Sequence, residues 1–154
     1  MRPEPSIQIR LFRKTDQRAA RELIESGLGE HFGHIDFDAN PDLADIHASY
    51  VAPGHAFFVA ELEGQLVGTT GMRIEGAAGQ LVRVSVSKPN RRRGVATELL
   101  RHCMAHARRR QLSALIAYTQ PEWPDAMGFY LRNGFSVYGR DAIDIHFRRE
   151  LSAA

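Results

Sequence analysis

The stretch Lys88-Pro89-Asn90-Arg91-Arg92-Arg93-Gly94-Val95-Ala96-Thr97 links a segment of strand character to one of helical character. Its residue types suit the holding of an anion. A helix start carries unpaired N–H groups and a partial positive charge. Three arginines stand on the wrong side of that dipole, and no Asp, Ser or Thr lies between Arg91 and Val95 to cap the donors. Gly94 and the small Ala96 let another group approach the backbone closely. A bound phosphate resolves all of this at once, because free N–H groups, the dipole and guanidiniums all favour it. The plainer alternative is a solvated helix start.

Other chemistry-bearing residues are scattered. Glu30, Asp36, Asp38, Asp42 and Asp45 form an acidic stretch without Lys or Arg, in which Phe32 and Phe37 also lie. Such a stretch suits a cationic or polyamine-like ligand, although Asp42 and Asp45 also stand where helix caps would. Glu98, His102 and His106 follow four-residue spacing, and His31, His34, Asp36 and Asp38 cluster in sequence. The first set lacks a fourth ligand and is read as a solvated face, the second is read in the same way, and no metal is expected. Cys103 falls on an apolar helical stripe and is expected to be buried and inert.

The elements around these residues follow from periodicity. Ser6 to Phe12 alternates apolar and polar residues as a strand does. A helix capped by Thr15 or Asp16 runs to about Leu28, where Gly27, Gly29 and Gly33 are expected to break it. A second short helix is expected around Pro41 to Tyr50. Ala56–Leu62 and Gln65–Ile74 form a hairpin about Glu63-Gly64, and Gln80–Ser87 is a third strand. Val95, Ala96, Leu99, Leu100, Cys103, Met104 and Ala107 trace an amphipathic helix of about four turns. Leu112–Tyr118 is a strand, Pro124–Arg132 a helix with Asn133-Gly134 at its end, and Phe135–Tyr138 and Ala142–Arg148 are strands. The order β-α-α-β-β-β-α-β-α-β-β describes an α/β chain of the α+β type. Its sheet is mixed and mostly antiparallel, with six to seven strands and about four helices.

The 154 residues suffice for one domain, residues 1–154, with a core that needs no staple. One cysteine excludes an intrachain disulfide framework. No apolar run approaches the ~18 residues that span a bilayer. Met1 to Ser6 lacks the apolar region of a signal peptide. A cytoplasmic protein without a membrane partner is expected. Net charge is only +2, yet eighteen of twenty basic residues are arginine, several of them in blocks. Arg108–Arg110 compensates a helix C-terminus. Arg148-Arg149 is expected at an exposed strand end.

Arg91-x-x-Gly94-x-Ala96, after a strand and opening a helix, resembles the Q/R-x-x-G-x-G/A loop of the GNAT superfamily of acetyl-CoA-dependent N-acetyltransferases. Leu81 to Val86 resembles that family's fourth strand, and Phe129-Tyr130-Leu131-Arg132-Asn133-Gly134-Phe135 resembles its FY-x-x-x-GF segment. The resemblance implies that backbone N–H groups of Arg91, Arg92, Arg93, Gly94, Val95, Ala96 and Thr97 hold the pyrophosphate of acetyl-CoA, a cosubstrate. It implies that Val84, Ser85 and Val86 pair with the pantetheine arm where the fourth strand splays from the fifth, and that an N–H there polarises the acetyl carbonyl. Tyr130 matches the family's general acid toward the departing thiolate. The segment containing Glu30, Phe32, Asp36 and Asp38 would line the acceptor pocket.

Two positions depart from the pattern. Gln80 stands where many members carry a glutamate that serves as base, and Trp123 stands where they carry asparagine. The base is therefore unassigned, with Glu75, His55, His146 or a water chain open. The implied reaction is direct attack of a primary amine, of a small molecule or a peptide, on acetyl-CoA in a ternary complex. A homodimer is compatible with the fold. Rival readings are a donor with another acyl group, an acyl-CoA-binding regulator without turnover, and an arginine-rich nucleic-acid-binding module. The last is disfavoured by the low net charge and by Phe147 being the only aromatic beside an arginine block.

Overall fold

The computed structural model describes residues 6–32, 40–121 and 124–151. Seven strands form one sheet: β1 Gln8–Leu11, β2 Ala56–Leu62, β3 Gln65–Glu75, β4 Ala78–Val86, β5 Ala114–Thr119, β6 Ser136–Arg140 and β7 Ile145–Glu150. Their spatial order is β1-β2-β3-β4-β5-β7-β6. Every neighbouring pair is antiparallel except β4 and β5. That parallel pair is joined through α2 (Val95–Arg109); α1 is Gln17–Phe32 and α3 is Pro124–Arg132. In place of the expected second helix stand two short pieces, a 3-10 turn at Pro41–Ala44 and a π-type turn at His47–Val51.

Alternation along the strands feeds two cores, one on each face of the sheet. On one face α2 places Val95, Leu99, Leu100, Cys103 and Ala107 over Ala56, Phe58 and Ala60 of β2 and Leu115 and Ala117 of β5. α3 adds Tyr130 to the same core. On the other face α1 contributes Ala20 and Ile24, and the short turns contribute Leu43, Ile46 and Tyr50, all against Phe57 and Val59. With both faces covered, β2 and β5 read as continuous apolar runs rather than alternating ones.

Several expected boundaries shift. α1 continues through Gly27 and Gly29, which were expected to end it. Gly27 serves close packing: a Cβ there would lie 3.2 Å from Ser85 Oγ of β4. Asp16 caps from within the 3-10 turn Lys14–Asp16 that leads into α1, as the acidic member of a capping box with Arg13. Its carboxylate accepts the Arg13 N–H at 2.8 Å and takes both terminal nitrogens of Arg10 at 2.8 and 3.0 Å. β4 begins earlier than expected, at Ala78. Arg149, expected to be exposed, is half-buried and donates to the Asn133 carbonyl at 2.6 Å.

Two packing details position the region around the helix start. Gly68 of β3 pairs with Val86, the last residue of β4, and a Cβ on it would lie 2.7 Å from Val95 Cγ1 and 3.0 Å from Leu99 Cδ1. The first turn of α2 thus rests directly on the sheet beside the end of β4. Thr119 ends β5 with its hydroxyl buried and without a hydrogen-bond partner. These two positions predict substitutions of opposite sign. Gly68→Ala overpacks the helix–sheet contact and should cost about 1–3 kcal/mol, seen as a lower midpoint in thermal unfolding. Thr119→Val removes an orphaned polar atom and should raise stability in the same measurement by about 1 kcal/mol. A rise for Gly68→Ala or a fall for Thr119→Val would contradict this packing.

Candidate functional site

The site is built on a fork between two strands. β4 and β5 pair only from Ala78↔Ala114 to Leu81↔Ala117. Beyond that, Tyr118 and Thr119 pair with β7 alone, while β4 from Val82 to Val86 keeps β3 on one side only. Among the described residues, no strand pairs with β4 on its β5 side past Leu81. Backbone groups directed there are left for a ligand or solvent.

A bulge in β4 shapes this open stretch. The register with β3 passes from Thr69↔Ser85 to Gly71↔Val82, so β4 spends one residue more than β3. Arg83 adopts the left-handed region, with φ of 53°. The extra residue resets the alternation. Leu81 faces the core under α2, and Val84 and Val86 face it again. Val82 faces the core on the α1 side, as does Ser85, which meets Gly27. Without the bulge, Leu81 and Val84 would lie on opposite faces. Thr69 Oγ1 donates to the Arg83 carbonyl at 2.9 Å and secures the bulge from β3.

β4 runs into the loop through Lys88–Asn90, a single 3-10 turn. Asn90 Nδ2 donates to Ser87 Oγ at 2.8 Å, and Arg91 Nε donates to the Val86 carbonyl at 3.0 Å. Arg92 and Gly94 both have positive φ, 63° and 83°. Arg91, Arg92, Arg93 and Gly94 are exposed. Gly94 is the N-cap of α2 and supplies no side-chain cap; the Gly94 carbonyl takes the first helical bond, from Glu98 N–H at 3.0 Å. The N–H groups of Val95, Ala96 and Thr97 therefore open the helix without intrahelical partners. Fork and helix start lie at the same end of β4, as the sequence pattern requires.

Tyr130 is carried on α3 by a helix end that the sequence marks clearly. Phe135 N–H donates to the Tyr130 carbonyl at 3.0 Å and Gly134 N–H to the Leu131 carbonyl at 3.3 Å, with Gly134 at φ 85°. This is a Schellman end, and its usual apolar contact is the Tyr130–Phe135 ring pair at 5.3 Å between centroids. The Tyr130 ring also packs on Phe147 at 5.5 Å. Phe147 pairs with Ala117, the last β5 residue joined to β4. Tyr130 is thus placed at the level where the fork opens, on the α2 side. Burial raises its phenol well above the ordinary value, with Cys103 adding to the effect, so it stays protonated. Cys103 is itself buried and its thiol is pushed up to about 12 by desolvation, as its inert role requires.

The base candidates are spread apart. His55 Nδ1 accepts the Ile74 N–H at 2.9 Å, beside the far end of β4, which commits that nitrogen. Glu75 ends β3 opposite Ala78, also away from the open stretch. His146 lies against Tyr118 at 4.5 Å, and its Nε2 meets Asp141 Oδ2 at 2.8 Å. A Cβ at Gly139 would lie 3.5 Å from its Nδ1, so the ring sits between Tyr118 of β5 and β6. Gln80 is within the paired part of β4, between Arg73 and Ile116.

Other assignments need correction. Asp42 is no helix cap. Its carboxylate takes Arg83 Nε at 3.0 Å and Nη2 at 2.7 Å, and accepts the Tyr50 hydroxyl at 2.7 Å. Asp45 does act as a cap, accepting the Ala48 N–H at 3.0 Å. His106 is no solvated residue: its ring packs on Phe58 at 5.8 Å, and burial with Arg109 and Arg110 lowers its pKa. Glu98 pairs with Arg101 at 2.7 Å. Among the described residues no group of three His, Cys, Asp or Glu side chains could hold a metal ion. Asp36 and Asp38 lie outside the described residues. Glu30 and Phe32 fall at the end of α1. Sequence reasoning missed Arg83, Tyr50 and Thr119. No local pattern marks Arg83 and Asp42, 41 residues apart, as partners.

Comparison with known proteins bears on this geometry. Residues 18–135 match the Acetyltransferase (GNAT) family. N-acetyltransferase 8 of Mus musculus is 35% identical over 111 residues, covering 68% of this chain and 49% of its own length. N-acetyltransferase 8B of Homo sapiens is 30% identical over 122 residues, covering 75% of this chain and 54% of its own. The chain spans about half the length of the curated relatives it matches. An acetyltransferase of the GNAT family from Staphylococcus aureus Mu50 superposes with a TM-score of 0.87 at 24% identity, over 96% of this chain and 100% of that one. The paia N-acetyltransferase of Thermoplasma acidophilum, solved in complex with coenzyme A, gives 0.83 at 17% identity, over 94% and 99%. With its fork, its uncapped helix start and this match across most of its length, the chain belongs to the GNAT acetyltransferase family.

Proposed function

We propose that this chain transfers the acetyl group of acetyl-CoA to a primary amine by direct attack in a ternary complex. One observation carries the reading: the strand that forks from its neighbour leads straight into a helix start with open N–H groups. A cosubstrate with a diphosphate at one end and an extended amide-bearing arm at the other fits both features. Backbone N–H groups of Arg91 to Thr97 would bind the diphosphate, where dipole and guanidiniums add to the hydrogen bonds. The backbone of Val84, Ser85 and Val86 would pair with the arm as a missing strand does. An N–H at the bulge would polarise the thioester carbonyl, an oxyanion-type role that needs fixed donors more than a charged side chain.

The transfer balances simply. The neutral amine attacks the carbonyl carbon, the C–S bond breaks, and the amine loses one proton while the thiolate gains one. Tyr130 is the donor to the thiolate in this reading. Burial that raises a phenol also raises a thiolate's basicity in the same surroundings, so the two remain matched. The acceptor side would be the α1 face, with Glu30, Phe32, Asp36 and Asp38 as candidate contacts for a cationic or polyamine-like amine. Asp42 does not add free negative charge there, since Arg83 neutralises it. The reading places the protein in the cytoplasm, with acetyl-CoA and an amine as partners; no helix among the described residues is long and apolar enough to cross a membrane. Gln80, in place of a glutamate, favours one second reading: an acyl-CoA-binding regulator without turnover.

Thermal unfolding with acetyl-CoA, CoA and ATP tests the coenzyme site. At a hundred times its dissociation constant a ligand adds about 2.7 kcal/mol, a rise of several degrees for a domain of this size. Acetyl-CoA and CoA should give that rise and ATP should not. Gly94→Asp and Ala96→Glu should abolish it, because they put bulk and negative charge against the phosphate; Ala96→Glu should leave the ligand-free midpoint nearly unchanged, whereas Gly94→Asp, at φ 83°, should also lower it by a few degrees. An unaltered rise in both variants would remove the loop from the site. With an active amine in hand, Tyr130→Phe should lower kcat by about a hundredfold and leave the KM for acetyl-CoA alone. Coenzyme binding without thiol release for any amine would instead favour the regulator.

A further inference from the structure

The bulge that opens the fork is held by a network that reaches across the α1 face. Arg83 sits at φ 53°, a conformation that a side chain with a Cβ disfavours, so something must hold it there. Its guanidinium fixes it from the side-chain end. Nε and Nη2 grip the two carboxylate oxygens of Asp42 at 3.0 and 2.7 Å, and Nη2 also donates to Asn40 Oδ1 at 3.0 Å. Asp42 belongs to the turn Pro41–Ala44 and is fixed in its own right by the Tyr50 hydroxyl at 2.7 Å.

Tyr50 in turn is locked. It is fully buried, its ring lies 5.1 Å from that of Phe57, and the Arg73 guanidinium sits 4.6 Å above it. Room for this ring exists because β3 has Gly71 opposite Val82. A Cβ there would lie 3.1 Å from Tyr50 Cε1 and 3.0 Å from Val82 Cγ2. Burial would raise the Asp42 carboxyl, but hydrogen bonds from Arg83 and Tyr50 outweigh that and keep it below its usual value. The latch is therefore ionised throughout the neutral range, and its planar two-point grip fixes orientation as well as distance.

We infer that Asp42 is a positioning residue for acetyl transfer, acting through Arg83 to hold the β4 bulge in the one conformation that aims its backbone N–H groups at the thioester carbonyl. This rests on the acetyl-transfer reading above. It goes further in assigning a role to a residue 41 positions from Arg83 in sequence, acting through that arginine. The latch acts on polarisation of the carbonyl rather than on affinity, since the diphosphate loop and the end of β4 lie beyond it.

The test is difference infrared spectroscopy of acetyl-CoA isotopically labelled at the thioester carbonyl, run beside calorimetric titration of the same samples. In the wild-type protein the bound carbonyl band should move to lower frequency than in water. In Asp42→Asn, affinity for acetyl-CoA should stay within about twofold while at least about half of the band shift is lost, because misplaced donors cost orientation before binding. Arg83→Lys keeps the charge pair but not the two-point grip, and should lose the shift likewise; it decides the matter should Asp42→Asn fail to fold. A band shift that survives in the folded variants overturns the inference, as does a wild-type protein that binds acetyl-CoA with no shift at all. Absence of any acetyl-CoA binding by the wild-type protein overturns the acetyl-transfer reading itself, and the inference with it.

Discussion

A single extra residue in β4 governs the architecture of this molecule. An uninterrupted β4 would keep strict alternation, and Leu81 and Val84 could not both face α2. The bulge at Arg83 restores Val84 and Val86 to that core while leaving Val82 and Ser85 for the other. It lies two residues beyond Leu81↔Ala117, the last pair that β5 makes with β4. Stronger local twist at a bulge gives the physical reason for the parting, because neighbouring strands that twist unequally cannot stay paired. The fork is therefore a consequence of packing on both faces, and the open backbone of β4 follows from the fork.

The cost of this arrangement is distributed rather than local. A non-glycine residue in the left-handed region costs about 1–2 kcal/mol. Against it stand the Thr69–Arg83 hydrogen bond and the partly buried Arg83–Asp42 pair, whose side chains are 20% and 14% exposed. Such a pair contributes modest net stability, but losing one partner strands a charge and costs about 3–5 kcal/mol. The pair therefore specifies a conformation more than it strengthens the fold. Glycines at 27, 68 and 71 serve the same end by admitting Ser85, Val95 and Tyr50 closely: a Cβ would lie 3.2, 2.7 and 3.1 Å from them, and at Gly68 something would have to shift. Each brings a helix or turn down onto the sheet within a few residues of the open stretch.

The fold was legible from sequence where one face of an element is wet. α2, with its spaced apolar stripe, and the hairpin at Glu63-Gly64, with φ of 50° and 81°, match their patterns closely. The end of α3 was legible because the glycine of its Schellman motif announces itself. Legibility failed where tertiary contact overrode local chemistry. Gly27 was read as a helix breaker, yet its missing side chain is what lets α1 lie on β4. Asp42 was read as a cap because local patterns favour that role, whereas its partner stands in a strand far along the chain. The helix start at Gly94 could be read directly, since a loop that must leave its N–H groups open shows this through the caps it lacks. The bulge could not, because Val82, Val84 and Val86 alternate with Arg83 and Ser85 as they would in an unbroken strand.

That contrast has a consequence for how the site divides its labour. Features that meet an anion are short in sequence, since a helix N-terminus concentrates donors within one turn. Features that aim a single backbone N–H at a carbonyl need a rigid strand, and rigidity comes from residues that pack or pair across the sheet. Tyr130, whose phenol is the proposed proton donor, is held by long-range packing in the same way. Its position depends on Phe135 at the helix end and Phe147 on β7, and Phe147 reaches the fork only through its pairing with Ala117. Asp42 and Tyr50 do the same for the bulge from the opposite face. The loop proposed for the coenzyme, from Arg91, and the bulge proposed to face the carbonyl, at Arg83, are close in sequence yet depend on different parts of the molecule. Substitutions that weaken binding and those that misalign the carbonyl should accordingly fall on separate sets of residues, the first clustered in one loop and the second spread over both faces of the sheet.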